Sequence, residues 1–252
     1  MLQVISALKG LAIEASDGRM GTVVDFLFDD ASWKVRWLVV DCGTWLKGRK
    51  VLIHPLAVSD ACQADDRFEV KLTKAQVEGS PECFEHQPVS QQMQSRLYEY
   101  YGWEPAWGSV AGAVASPMLA PPYLGLQTAA EPGSDIGESH AGDPHLRSVV
   151  EVIGYHIHAT DGDIGQVENF MLDREGWSLP YFVVDTSNWW FGNRVLIATH
   201  SVEAIKWSDR HVSLGLSREQ IKTRPPWDPL VAFDEIYATH LHRHYGWPMS
   251  QA

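Results

Sequence analysis

The chain is written twice. Asp17, Gly18, Gly21, Phe26 and Asp29 are matched by Asp161, Gly162, Gly165, Phe170 and Asp173, each 144 positions later (161 − 17 = 144). The offset holds without a gap from Gly10/Gly154 through Trp33/Trp177, Asp41/Asp185, Trp45/Trp189, Gly48/Gly192 and Leu72/Leu216 to Pro81/Pro225. It returns at Tyr101-Gly102-Trp103 against Tyr245-Gly246-Trp247. One register kept over roughly 100 residues marks a tandem duplication, so the two halves are expected to share a fold.

Each half opens with short β-type runs. "GLAIEA" from Gly10 alternates apolar and polar residues, Asp17-Gly18 supplies a tight turn, and "MGTVVDFLF" resumes with β-branched and aromatic residues, which predicts a hairpin. "VRWLVVD" and "RKVLIHP", with "YFVVD" and "NRVLIAT" in the second copy, predict two further paired strands. The alternating "RFEVKL" and "HVSLGL" lead to "TKAQ" and "SREQ", where Thr73 or Ser217 stands three residues ahead of Gln76 or Gln220 as in a helix capping box. Each half closes on an amphipathic stretch, with Gly102 or Gly246 suited to the residue after a helix end. Five or six short strands in about 80 residues predict a small closed barrel, which leaves few sheet edges open. The expected fold is mainly β with short helices: a first barrel with its C-terminal helix over residues 1–104, an Ala/Gly/Pro-rich linker over 105–147, and a second barrel with its helix over 148–252. A flexible linker of about 40 residues would reach on the order of 35 Å, enough for the barrels to pair with each other or with those of another chain.

A net charge of −12 disfavours sequence-independent nucleic-acid binding, which depends on Lys and Arg neutralising phosphates, and disfavours docking by charge on an anionic membrane. Cys42, Cys62 and Cys83 have no counterparts in the second half, which predicts reduced thiols and a cytoplasmic setting. Met1 leads almost directly into the first repeat, so no leader is expected. The weakly polar run from Val110 is broken by Pro117, Pro121 and Pro122 and does not read as a bilayer-spanning helix.

The pattern from Gly10 through Ile13, Asp17-Gly18, Gly21, Phe26, Asp29, Trp33, Val39-Val40-Asp41, Trp45 and Gly48 to Val51-Leu52-Ile53, repeated in the second half, resembles the PRC-barrel family. That fold is named for the cytoplasmic domain of the photosynthetic reaction-centre H subunit and also forms the C-terminal half of a ribosome-maturation factor. Bacterial proteins with two such barrels, each followed by a Tyr-Gly-Trp helix, share the layout. The resemblance implies two tandem PRC-like barrels and speaks to fold far more than to function. The H subunit places a membrane-spanning helix ahead of its barrel, and no stretch here reads as one.

Several residue groups invite a chemical reading. An EF-hand loop starting at Asp161 needs an oxygen ligand at its fifth position, Gly at the sixth and Glu at the twelfth; Gly165, Gln166 and Leu172 stand there, so the stretch reads as a turn. Asp41/Asp185 and Asp29/Asp173 fall at strand ends without a His, Cys or Lys that recurs in both halves, and turn capping is expected over catalysis. His240 and His244 share a helix face at a spacing that can hold zinc or nickel, but Arg96 and Tyr100 replace them in the first half. A solvated helix end, with no metal or other cofactor, is the expectation. His156 and His158 share one strand face, and His200 is a candidate third member of that group.

The large aromatics Trp45, Trp189, Trp190 and Phe191 in loops, and Trp103 and Trp247 at helix ends, are the candidate interaction surface, since aromatics concentrate in interface hot spots; packing over a barrel mouth is the competing role. The function expected is non-enzymatic: a protein-interaction or assembly module whose partner is itself, as a homo-oligomer, or a larger complex. The family resemblance makes a photosynthetic electron-transfer complex at the inner membrane one such partner, approached from the cytoplasm without insertion. The alternative is a soluble ligand- or metal-binding sensor or storage protein using the second half.

Overall fold

The computed structural model describes residues 2–46, 48–59, 67–81, 89, 91–103, 143–187, 194–225, 227, 233 and 235–247. They fall into two compact units, residues 1–78 with 145–252, and residues 79–144. In the first unit the first half contributes β1 (Leu2–Val4), α1 (Ile5–Leu8), β2 (Ala12–Ala15), β3 (Gly18–Asp29), β4 (Lys34–Asp41), β5 (Lys50–Ile53), a 3-10 turn at Pro55–Ala57, β6 (Arg67–Glu69) and α2 (Lys74–Glu78). The second unit holds α3 (Gln91–Tyr101). The second half adds β7 (Leu146–Ser148), α4 (Val149–Val152), β8 (His156–Ala159), β9 (Gly162–Asp173), β10 (Ser178–Asp185), β11 (Arg194–Ala198), a 3-10 turn at Thr199–Ser201, β12 (Val202–Lys206), β13 (His211–Leu214), α5 (Arg218–Lys222) and α6 (Glu235–Tyr245), also in the first unit.

Local chemistry accounts for the hairpins. Gly18 and Gly162 sit at φ 125° and 139°, a region open to glycine, at the β2–β3 and β8–β9 turns. The preceding aspartates reach across to start a helix: Asp17 accepts from the Lys74 N–H at 2.9 Å and Asp161 from the Arg218 N–H at 2.7 Å. The capping boxes form as predicted, with Ser217 and Gln220 bonding reciprocally and Thr73 and Gln76 doing the same. The twelve-residue strands β3 and β9 each change register twice along β4 and β10, and these bulges let a long strand curl. Inward positions recur in both halves: Ile13/Ile157, Phe26/Phe170, Leu38/Phe182, Ile53/Ile197 and Phe68/Val212 are all buried.

Among the described residues the sheets are barrel-like but do not close, contrary to the closed barrel expected. The ladder runs β5–β4–β3–β2–β6 in the first half and β11–β10–β9–β8–β13–β12 in the second, and the terminal strands of each ladder do not pair. The chain itself bridges the gap. After β11 the 3-10 turn at Thr199–Ser201 redirects it into β12, which pairs with β13, and after β5 the turn at Pro55–Ala57 brings Val58 opposite Val70. A 3-10 corner uses its backbone groups in the turn, so they are not available to close a continuous ladder.

The two halves trade their first elements. β1 of the first half lies along β9 of the second, Leu2 opposite Asp173 and Val4 opposite Met171, while β7 lies along β3, Leu146 opposite Asp29 and Ser148 opposite Leu27. Where β4 meets β10 the bonding is also reciprocal: the Val35 N–H donates to the Trp177 carbonyl at 2.7 Å and the Leu179 N–H to the Trp33 carbonyl at 2.8 Å. Aromatic rings fill the junction. Trp33 stacks on Phe28 at 5.3 Å and meets Phe182 edge-on at 5.2 Å; Phe170 lies 5.8 Å from Phe28 and 5.0 Å from Phe182; Trp177 faces Phe68 at 6.1 Å.

Polar groups pin each traded arm. Asp25 accepts from the Ser148 hydroxyl at 2.5 Å and the Val150 N–H at 3.2 Å, and Asn169, its repeat equivalent, accepts from the Ser6 N–H at 3.3 Å. Burial raises the Asp25 carboxyl above the ordinary range against the opposing pull of the Ser148 hydrogen bond. Asp30 holds His145 at 2.9 Å and Arg147 at 3.3 Å, and the Arg147 guanidinium lies 4.2 Å over the Trp207 ring. The halves are thus one interlocked body within the first unit.

Candidate functional site: an aromatic pad at the end of the last helix

α6 turns Leu241, His242 and Tyr245 inward, all buried. It ends at Gly246, φ 69°, where the Trp247 N–H donates back to the His242 carbonyl at 2.9 Å. This six-to-one closure is the Schellman arrangement, and it folds Trp247 back over the helix end. The indole stacks on Tyr245 at 4.2 Å and meets His200 and His242 edge-on at 4.8 and 5.7 Å. Within the other unit the same turn forms at Gly102, and Trp103 stacks on Tyr101 at 4.5 Å. The sequence placed both tryptophans at helix ends; the structure packs each on its own helix and leaves it half-buried.

Beneath the pad of the second half, the Tyr181 hydroxyl and His242 Nε2 are 2.6 Å apart. Burial, then the neighbouring Tyr237, pushes the Tyr181 phenol up to about 12, so it keeps its proton and can donate to an unprotonated Nε2. Tyr237 is likewise pushed up to about 12 by burial, and its hydroxyl donates to the Pro225 carbonyl at 3.3 Å. Partial burial and the nearby His242 hold His200 below its ordinary value, although its outer surface is exposed. Ile236, on the same helix, is 67% exposed. The pad therefore offers rigid rings with a wet outer edge.

The remaining sequence candidates separate. Trp45 is half-buried with Lys74 Nζ 5.5 Å over its ring. Trp189, Trp190 and Phe191 lie outside the described residues. His240 is exposed, whereas His244 Nε2 meets the Gln220 carbonyl at 2.8 Å, a contact that requires the proton on that nitrogen and ties α6 to α5. Among the described residues no group of three or more His, Cys, Asp or Glu is placed to hold a metal. His200 belongs to the pad and not to the β8 group; there His158 is held by Asp163 at 2.7 Å and faces His211 at 5.4 Å.

The strand-end carboxylates accept turn N–H groups, Asp41 from Gly43 at 2.8 Å, Asp185 from Ser187 at 2.9 Å and Asp173 from Gly176 at 3.1 Å. At Asp29, burial is outweighed by hydrogen bonds from Ser32 and the charge of Arg36, which hold the carboxyl low. An open groove of about 290 Å³ runs beside β12, lined by Val202, Glu203, Ile205 and Trp207 with Asp30 and Trp33 opposite. Sequence reasoning allowed the barrels to pair but missed this groove and the exchanged strands of the junction, although the Trp33/Trp177 pair was visible as a repeated aromatic.

No helix among the described residues is long and apolar enough to cross a membrane. No curated protein matches the chain. The PRC-barrel domain model matches residues 5–77, the span from α1 into α2. The second half repeats those elements outside the match. Residues 5–77 therefore carry a PRC-barrel domain.

Proposed function

We propose that the chain is a non-enzymatic interaction module that assembles with a larger protein complex or with itself, presenting an aromatic pad from an interlocked two-barrel body. The observation that carries this reading is the Tyr245–Trp247 pad, where stacked rings and two imidazoles are fixed by the helix-end turn with their outer edge in solvent. Rings held this way lose little entropy on binding, and Trp and Tyr dominate the energetics of protein interfaces. The family resemblance makes a photosynthetic complex at the inner membrane the partner to examine first, met from the cytoplasmic side.

The test is cross-linked affinity capture of the tagged full chain from soluble and membrane fractions of the source organism, with wild type and Trp247→Ala in parallel. A set of proteins enriched with wild type and depleted at least about tenfold with the variant is the expected result. Equal enrichment with both would remove the pad from the interaction.

A further inference from the structure

We propose that the junction between the halves is a self-complementary surface that also takes a second copy of this chain, and that Asp30 against Arg147 dictates which half pairs with which. The junction is reciprocal in its backbone pairing. Val35 and Leu179 exchange bonds with Trp177 and Trp33, β1 and β7 cross in opposite directions, and Asp25 and Asn169 hold the arms at equivalent positions. A surface related to itself by a two-fold is one that two chains can form as well as two halves of one chain, the geometry of an exchanged dimer.

Charge breaks the two-fold. The repeat equivalent of Asp30 is Arg174 (30 + 144) and that of Arg147 is Gln3 (147 − 144). Pairing the first half with the second sets Asp30 on Arg147 at 3.3 Å, with side chains only 12% and 24% exposed. Two second halves would instead bring Arg174 towards Arg147, and two first halves would leave Asp30 opposite Gln3. A partly desolvated like-charge contact penalises the wrong partner, whereas the apolar layer discriminates little because bulk is balanced within each half, Leu38 with Phe68 against Phe182 with Val212. His145, also on Asp30, reinforces the acid-to-base direction of the pair.

The experiment uses full chains and does not depend on the pad or its partner. Asp30→Arg sets two cations against each other within its own chain, and Arg147→Asp sets two carboxylates together. Mixed, the chains can escape both clashes by exchanging halves: the first half carrying Asp30→Arg then meets the second half carrying Arg147→Asp, an opposite-charge pair, while the native pair re-forms at the other junction. The expected result, after the two variants are unfolded and refolded together, is a one-to-one heterodimer by native mass spectrometry, at least about tenfold above the dimer in either variant alone. The double variant, carrying Asp30→Arg and Arg147→Asp in one chain, restores an opposite-charge pair and gives no more dimer than wild type refolded in the same way. If neither single variant refolds alone, soluble heterodimer from the mixture still supports the proposal. Absence of heterodimer from the mixture, while the double variant folds, overturns it.

Discussion

Trp33 and Trp177 hold the left-handed backbone region at φ 55° and 48°, where bulky residues are rare. Each carbonyl accepts a cross-junction hydrogen bond and each half-buried ring meets an aromatic ring of the opposite half, so the strain is offset in part by contacts that the paired halves supply. Gly165 illustrates the opposite demand. At φ 146° it lies against the Asp185 carbonyl, where a Cβ would fall well inside contact distance. Gly165→Ala is expected to cost at least about 3 kcal/mol in urea unfolding. His54 gives a pH-dependent prediction. Its Nδ1 accepts from the Leu56 N–H at 3.1 Å and its ring meets Trp37 edge-on; burial, and then the charge of Arg36, hold it down from 6.5 to about 4. The unfolded chain therefore binds the extra proton first. Stability is full above about pH 6.5 and declines towards pH 4, by at most about 3 kcal/mol. His54→Asn, which keeps an acceptor at the cap, should flatten that slope in denaturant titrations across the window.

Elements that rest on local chemistry were legible in the sequence, and those that rest on distant pairing were not. The hairpins follow from Asp-Gly turns and the short helices from Thr73/Gln76 and Ser217/Gln220, all of which formed as expected. Ser217→Ala should cost about 1 kcal/mol, read as an equal fall in thermal-melt stability at constant denaturant slope. By contrast β1 and β7 are three-residue strands running into four-residue helices, too short to show a period, and their partners lie in the other repeat. The closed barrel failed for a related reason, because a 3-10 corner looks like any other Pro- or Thr-led loop in sequence. Asp25 tests the arm chemistry. Its folded carboxyl is raised by burial, so its charged form weakens the fold as pH rises through that value. Asp25→Asn, the residue type already at position 169, should match or exceed wild-type stability at neutral pH, whereas Asp25→Leu should loosen α4 in hydrogen exchange.

At the scale of the molecule, a duplication visible as an offset of 144 produced two halves that complete each other. Each lends the other a strand and a helical turn, and each covers the other's aromatic face, so the pair should unfold as one cooperative body. The direct measurement is urea unfolding followed by hydrogen exchange and mass spectrometry on strands of both halves, in wild type and Trp33→Ala. Coincident midpoints for β3 and β9 in wild type, falling together in the variant, are the predicted result. A midpoint that falls in the first half while the second half holds its wild-type value would contradict the interlocked fold.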